Sequence, residues 1–435
     1  MTEYKLPTLR RNFSWTFAGN ALYAAAQWGM LTALAKLGTP QMVGQFALGL
    51  AITAPVILFA SLQLQTVQAT DARGQYQFPD YLALRLITTM LAVVVISGIV
   101  YVAGYPLETT LVILLVGLAK AFEAISDVFY GLFLRHERME RMAWSMIIKG
   151  LLSLAALTLG VYLTGSVVWG VVGMALAWAL VLFGYDIRSG VWVLNHFSET
   201  RDSPGPERGS ASKLRPRWAA DRLASLVWLT LPLGFVIALI SLEASIPRYF
   251  VEYYMGAREL GIFAPMVYII VAGTTVVQAL GRSTSPRLAR YYAEGDISRF
   301  RSLLLKAVGV GALLGVVGVL AASFAGREIL TILYAPEYAE DTDVFLWLMV
   351  AAGLGYVASF LGYGMTAARY LRVQVPLFAL VVCSVALTCW LLVPTAGLQG
   401  AAMAIIIGGV VQLGGSLAII AHALRGHEKK GGTRS

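Results

Sequence analysis

Lys120, Glu123 and Asp127 are separated by three and then four residues in a stretch that is otherwise uncharged between 110 and 134. On an α-helix these intervals place the three side chains in one narrow stripe. An ionised group at mid-membrane costs about 2.5–3.5 kcal/mol on the insertion scale, so three left unpaired would forfeit roughly 8–10 kcal/mol. Two arrangements offset that cost. Lys120 and Glu123 can form a structural ion pair at a helix contact, or the stripe can face an aqueous cavity and bind a charged cargo or a coupling ion. Further polar stripes run nearby. Thr16, Asn20, Tyr23 and Gln27 share one helical face, and Ser61, Gln65 and Gln68 share another, an arrangement that either glues helices together or lines a wet interior.

Other chemistries are missing from the sequence. There is no Gly-x-x-x-x-Gly-Lys-Ser/Thr loop to cradle a nucleotide phosphate. His136, His196, His422 and His427 fall in loops or at a helix end, without the His-Glu-x-x-His spacing of a zinc site. Cys383 and Cys389 lie six apart in one apolar run, so a helix turns them to different sides and no disulfide framework forms. Asp341-Thr342-Asp343 resembles a metal-binding pair but reads as the start of a helix, where the macrodipole favours acids. The expectation is a non-enzymatic protein with no catalytic residues, no cofactor and no metal.

The elements that hold these residues must lie in lipid. Of 435 residues, 58% are hydrophobic and 13% charged, whereas a soluble domain carries about 25% charged residues. The mean hydropathy is +0.71. A soluble fold is excluded, and the net charge of +9 belongs in membrane-flanking loops rather than a nucleic-acid groove. Lipid offers no partner to a free backbone N–H or C=O, so each crossing needs about 20 mainly apolar residues. Twelve such stretches are read: 12–35, 42–66, 82–104, 110–134, 144–164, 167–187, 224–246, 259–282, 303–324, 343–366, 374–393 and 398–424. The first follows Arg10 and Arg11 and precedes Ala24, Ala25 and Ala26, yet it is long enough to span, so it is read as a membrane helix and not a cleaved signal peptide.

With both termini in the cytoplasm, all 33 Lys and Arg except Lys36, Lys120, Arg248, Arg258 and Arg327 fall on the inner side, with Lys120 inside a span. That asymmetry orients the chain and supports an even number of spans. The external loops are short. The longest inner connection contains Ser-Glu-Thr-Arg-Asp-Ser-Pro-Gly-Pro-Glu-Arg-Gly-Ser from Ser198, a linker composition. The expected organisation is a six-helix lobe over 1–197, a linker over 198–223, a second six-helix lobe over 224–425 and a tail over 426–435.

The two halves echo each other. Gly44-Gln45-Phe46-Ala47 opens the second span and Gly261-Ile262-Phe263-Ala264 the eighth, while Tyr130-Gly131 before Arg135 matches Tyr363-Gly364 before Arg369. Internal repeats with a site at their interface are a transporter signature. Carried into the second half, the charged trio lands on Gly353, Tyr356 and Phe360. A sister helix that manages without charge favours the cavity reading of the first.

Several stretches resemble the bacterial polysaccharide (O-antigen and exopolysaccharide) flippases of the multidrug/oligosaccharidyl-lipid/polysaccharide exporter superfamily. They are Asp127-Val-Phe-Tyr-Gly-Leu-Phe-Leu-Arg-His-Glu-Arg-Met139; Thr70-Asp71 with Tyr81 and Arg85; Pro247-Arg248-Tyr249 followed by Gly256 and Glu259-Leu-Gly-Ile-Phe263; and Pro286-Arg-Leu-Ala-Arg290 with Glu294-Gly-Asp296 and Phe300. The resemblance covers nearly the whole chain. It implies an all-α polytopic membrane protein of two six-helix lobes around a central cavity, in the bacterial inner membrane. It implies alternating access that carries polyprenyl-pyrophosphate-linked oligosaccharide outward for lipopolysaccharide or exopolysaccharide biosynthesis. Membrane lipids, a polysaccharide polymerase and chain-length proteins are the implied partners.

Arginine suits the diphosphate because its fork of donors meets phosphate oxygens bidentately. The candidate cargo contacts are Lys120, Arg85, Arg248, Arg282, Arg287, Asn20 and Gln27, with Glu123 and Asp127 as ion-coupling acids. Arg85, Arg282 and Arg287 also sit where positive-inside anchoring alone would put them, whereas Arg248 defies that rule. The related lipid II flippases carry cations early in their first two helices, and here those helices have none before Lys36. A cation-coupled multidrug exporter of the same superfamily, using Glu123, Asp127 and Glu243, is the alternative. A polytopic glycan polymerase or ligase is disfavoured by the short outer loops.

Overall fold

The computed structural model describes residues 9–71, 74–197, 214–370 and 373–431, and among them every regular element is a helix. The linker stretch 198–213, Arg73, Arg372, the first eight residues and the tail from 432 lie outside the described residues. In chain order the long elements are α1 (Leu9–Leu37), α2 (Pro40–Ser61), α3 (Leu64–Thr70), α4 (Phe78–Ala103), α5 (Leu107–Arg135), α6 (Met139–Thr164) and α7 (Val167–Val181). A π-turn over Leu182–Asp186 joins α7 to α8 (Ile187–Phe197). Then come α9 (Ala220–Met255), α10 (Ala257–Glu294), α11 (Ile297–Leu333), α12 (Thr342–Ala367) and α13 (Gln374–Gly431).

All twelve expected spans fall on helices, the last two inside α13, which breaks at Gly397 where φ is 57°. Nine of the described helical segments are long and apolar enough to cross a membrane. Of the helices with polar stripes, α1 and α5 are not among them while the α2–α3 segment is, and α13 counts once. Local chemistry sets the ends. Pro40 opens α2 behind Thr39, whose hydroxyl accepts from the Met42 amide at 3.4 Å, and Gly104 and Gly165 end α4 and α6 in the left-handed conformation. Large apolar side chains such as Met90, Tyr101, Leu163 and Phe324 stand exposed, as a lipid-facing surface requires.

The chain divides into two compact units between Ser241 and Leu242, inside α9 and beyond the linker. The first turns of α9 belong to the first unit for packing reasons. Leu223 and Leu226 are buried in a cluster with Leu62, Leu64, Tyr81, Phe129 and Phe133.

In the second unit, Tyr356 and Phe360 of α12, the counterparts of Glu123 and Asp127, sit in an apolar cluster with Val277, Ala307 and Ala352. The Tyr356 hydroxyl donates to the Ile270 carbonyl at 2.9 Å, across a glycine, Gly273, where a Cβ would collide with the tyrosine ring. Gly273→Ala is therefore expected to displace Tyr356 and cost about 1–3 kcal/mol, read as a lower thermal unfolding midpoint in detergent. An unchanged midpoint would mean that the ring has room to move.

Candidate functional site

The first unit encloses a polar cavity of about 130 Å³, lined by Asn20, Tyr23, Gln65, Glu123, Asp127, Tyr130 and Lys149, with Met142 and Met146 as its apolar wall. Such a site is polar and roomy enough to hold ordered water. Its residues come from α1, α3, α5 and α6.

Glu123 is the hub. Its Oε2 accepts from Lys120 Nζ at 2.8 Å, and its Oε1 accepts from the Tyr23 hydroxyl. The Gln27 amide donates to that hydroxyl at 2.8 Å, so α1 is stitched to α5 through two of its stripe residues. The Lys120 ammonium also stands 5.0 Å from the Trp178 ring centroid. The ion pair and the cavity thus coexist: Lys120 and Glu123 are bonded to each other, and Glu123 borders the void.

Asp127, one turn along α5, opens into the same cavity, and among the described residues no hydrogen bond or ion pair within 4 Å engages it. Arg85 of α4 interacts electrostatically with it. Arg85 is only 1% exposed, and its Nε and Nη1 lack hydrogen-bond partners. The expected loop anchor is thus a buried guanidinium.

The remaining candidates lie elsewhere. Asn20 is exposed on α1, borders the cavity and donates to the Thr16 carbonyl at 2.7 Å. In the second unit, Arg248 on α9 is partly buried with its Nε unpartnered, whereas Arg282 and Arg287 are exposed on α10. Cys383 and Cys389 are free, and among the described residues no cluster of three His, Cys, Asp or Glu could hold a metal.

Two ionisable residues of the site escape the sequence reading. Lys149, counted there among the inner-side charges, lies inside α6 and is 1% exposed; Asp186 is fully buried in the π-turn. Lys149 Nζ donates to Tyr130 Oη at 3.0 Å, and Tyr130 in turn bonds Ser145 Oγ at 2.8 Å. Lys149 stands 4.0 Å from Asp186 Oδ2. For Lys149 the signal was available: it stands inside the 144–164 apolar run, ten residues beyond the start of α6.

Part of the motif that carries the family resemblance does structural work. Asp71 follows α3 and accepts from the amides of Gln75 and Tyr76, both at 3.0 Å, and from the Tyr81 hydroxyl at 3.3 Å. Burial favours its protonated form, but the two amides and the nearby Arg135 guanidinium outweigh that and hold the carboxyl below its ordinary range. Arg135 also donates to the Tyr76 carbonyl at 3.4 Å, so these residues close the turn between α3 and α4.

No model of a known protein family matches the chain. The capsular polysaccharide biosynthesis protein CapF of Staphylococcus aureus is 29% identical over 407 residues, which is 93% of this chain and 97% of CapF. An inward-facing multidrug resistance MATE family transporter of the MOP superfamily superposes with a TM-score of 0.72 at 13% identity, covering 95% of this chain and 99% of that one. The lipid II flippase MurJ, in an inward closed conformation, gives 0.67 at 12% identity, covering 95% and 91%. This chain is an all-α multi-pass membrane protein whose fold is like that of the MATE transporter and of the lipid II flippase, and its resemblance to the capsular polysaccharide biosynthesis protein runs along nearly its whole length.

Proposed function

We propose that the chain is a flippase that carries polyprenyl-pyrophosphate-linked oligosaccharide across the bacterial inner membrane, with both termini in the cytoplasm, to supply surface polysaccharide. The observation that carries this reading is the ionisable cavity inside an otherwise apolar helical unit. Groups that expensive in lipid are retained where something polar or charged must bind. The likeness to CapF supports a glycan-related cargo.

Such a cargo divides naturally. Its polyprenyl tail stays in lipid while sugars and diphosphate need a hydrated path. The charges around the first-unit cavity are balanced, with Arg85, Lys120 and Lys149 set against Glu123, Asp127 and Asp186. That balance suits ion coupling by Glu123 and Asp127, together with neutral polar contacts to sugar from Asn20 and Gln27. The candidate cations for a diphosphate, Arg248, Arg282 and Arg287, belong to the second unit and make no ion pair among the described residues.

Deleting the gene tests this. The expected result is lipid-linked oligosaccharide accumulating on the inner leaflet and loss of surface glycan, both reversed by the full chain. Unchanged glycan with altered dye resistance would overturn it in favour of cation-coupled drug export, for which the likeness to MATE transporters is the supporting observation.

A further inference from the structure

Lys149 has an acid within 4.0 Å but is not closed on it. Its ammonium hydrogen-bonds Tyr130 Oη at the cavity wall, while Asp186 Oδ2 is 4.0 Å away, beyond hydrogen-bond reach. Both Asp186 oxygens are buried without a hydrogen-bond partner, although the hydroxyls of Ser126 and Ser145 flank the carboxylate. A carboxylate sealed from water in this way is strongly disfavoured unless a cation can reach it. The π-turn matters here. It inserts an extra residue into the helical register between α7 and α8 and so brings Asp186 beneath Lys149, and such turns concentrate at functional sites.

We propose that Lys149 is a resident counter-cation shared between Asp186 and the cavity acids Glu123 and Asp127, and that a single positive charge arriving from outside, a proton or a small monovalent cation, displaces it towards Asp186. This rests on the ion-coupling reading of the cavity and assigns Lys149 and Asp186 roles in it. The groups around the incoming charge support the exchange. On α5, Lys120 and the Tyr23 hydroxyl of α1 already occupy Glu123, leaving Asp127 as the open acid. Arg85 of α4 faces Asp127 but donates no hydrogen bond to it, and Tyr130 hands the Lys149 ammonium across the gap. With all six charges present the cluster is neutral, so an added cation leaves one positive charge in excess. Withdrawal of Lys149 to the unsatisfied Asp186 relieves that excess where it is felt, at the cavity.

The test uses the full chain in lipid nanodiscs without any cargo, following tryptophan fluorescence, with Trp178 beside Lys120 as a reporter. One arm titrates pH in sodium-free choline buffer and the other titrates sodium at fixed pH; the arm that responds identifies the ion. Removing the competitor with Lys149→Met is expected to tighten cation binding about tenfold or more, equivalent to one unit of pK. Removing the refuge with Asp186→Asn is expected to weaken it by a similar factor. Opposite shifts show that both charges are felt at the cation site, and the exchange is separated from a static pair by the variant that removes both, whose affinity a static, mutually neutralising pair would leave unchanged. Shifts of the same sign, no shift in either variant, or no cation response in the unmodified chain would overturn the proposal.

Should a single variant fail to accumulate, Lys149→Met combined with Asp186→Asn keeps the pair neutral. It is expected to bind the cation more tightly than the unmodified chain, and unchanged affinity would again overturn the exchange. Because no glycan enters the assay, opposite shifts alongside normal surface glycan in the deletion strain would reject the cargo and leave the exchange standing.

Discussion

Lys120→Ala is expected to abolish glycan export while the protein inserts and accumulates normally. Insertion follows hydropathy, and replacing an intramembrane lysine by alanine eases it. Folding is buffered as well. Glu123 keeps the Tyr23 hydroxyl as a donor, and the Lys120–Glu123 pair is about one-fifth exposed on each side, so the loss falls short of the roughly 3–5 kcal/mol of a sealed pair that loses one partner. Function has no such buffer. Without the ammonium, Glu123 presents an uncompensated charge to the cavity, and any ion that binds there meets a site one charge more negative than the one the cycle requires. The decisive comparison is the double variant Lys120→Ala with Glu123→Ala. If the pair were only structural, removing both members would restore export, since a buried pair replaced by apolar groups is often neutral for stability. The expected result is that export stays lost, scored by surface glycan in the complemented deletion strain. Full export by the single variant would reduce these residues to a helix contact.

The membrane-spanning skeleton was legible because lipid imposes one rule on every crossing helix. The spans appear as apolar stretches, and Thr39-Pro40, Gly104 and Gly165 mark ends where capping chemistry requires them. The site was legible one helix at a time. The spacing of Lys120, Glu123 and Asp127, and of Tyr23 and Gln27, identifies polar faces, and these faces do meet. What spacing left open was whether the stripe pairs internally or faces a void; Lys120 turns to Glu123 while Asp127 opens to the void. Lys149 was hidden by counting it among the inner-side charges although it falls within the 144–164 span, and Asp186 by the π-turn, whose extra residue breaks the 3.6-residue period on which face assignment depends. The division between compact units followed packing and not composition. Ser198–Ser210 reads as a linker, yet the chain beyond it returns to the first unit before the division inside α9.

That return is anchored by Asp80, and Asp80→Ala is expected to loosen it at a measurable cost in stability. Asp80 is fully buried in the first turn of α4, where its Oδ2 accepts from the Gln77 amide at 3.0 Å. The same carboxylate lies 3.7 Å from Arg217 Nη1 and 3.6 Å from Arg222 Nη1. Arg217 adds two bonds to this end of the helix, from its amide to the Pro79 carbonyl at 3.1 Å and from its side chain to Gln77 Oε1 at 2.9 Å. Loss of the capping bond costs about 1 kcal/mol, and loss of an acid from a helix N-terminus a further 0.3–1 kcal/mol. The arginines are about half exposed, so water recovers most of their share, and a total of roughly 2 kcal/mol follows. Asp80→Asn, which can keep an acceptor for the Gln77 amide but not the charge, should lose about half as much. The readouts are the thermal midpoint in detergent and trypsin cleavage after Arg217 and Arg222, which docking shields and which Asp80→Ala should accelerate. Unaltered cleavage together with an unaltered midpoint would mean that Leu223 and Leu226 hold this segment to the first unit by apolar contact alone.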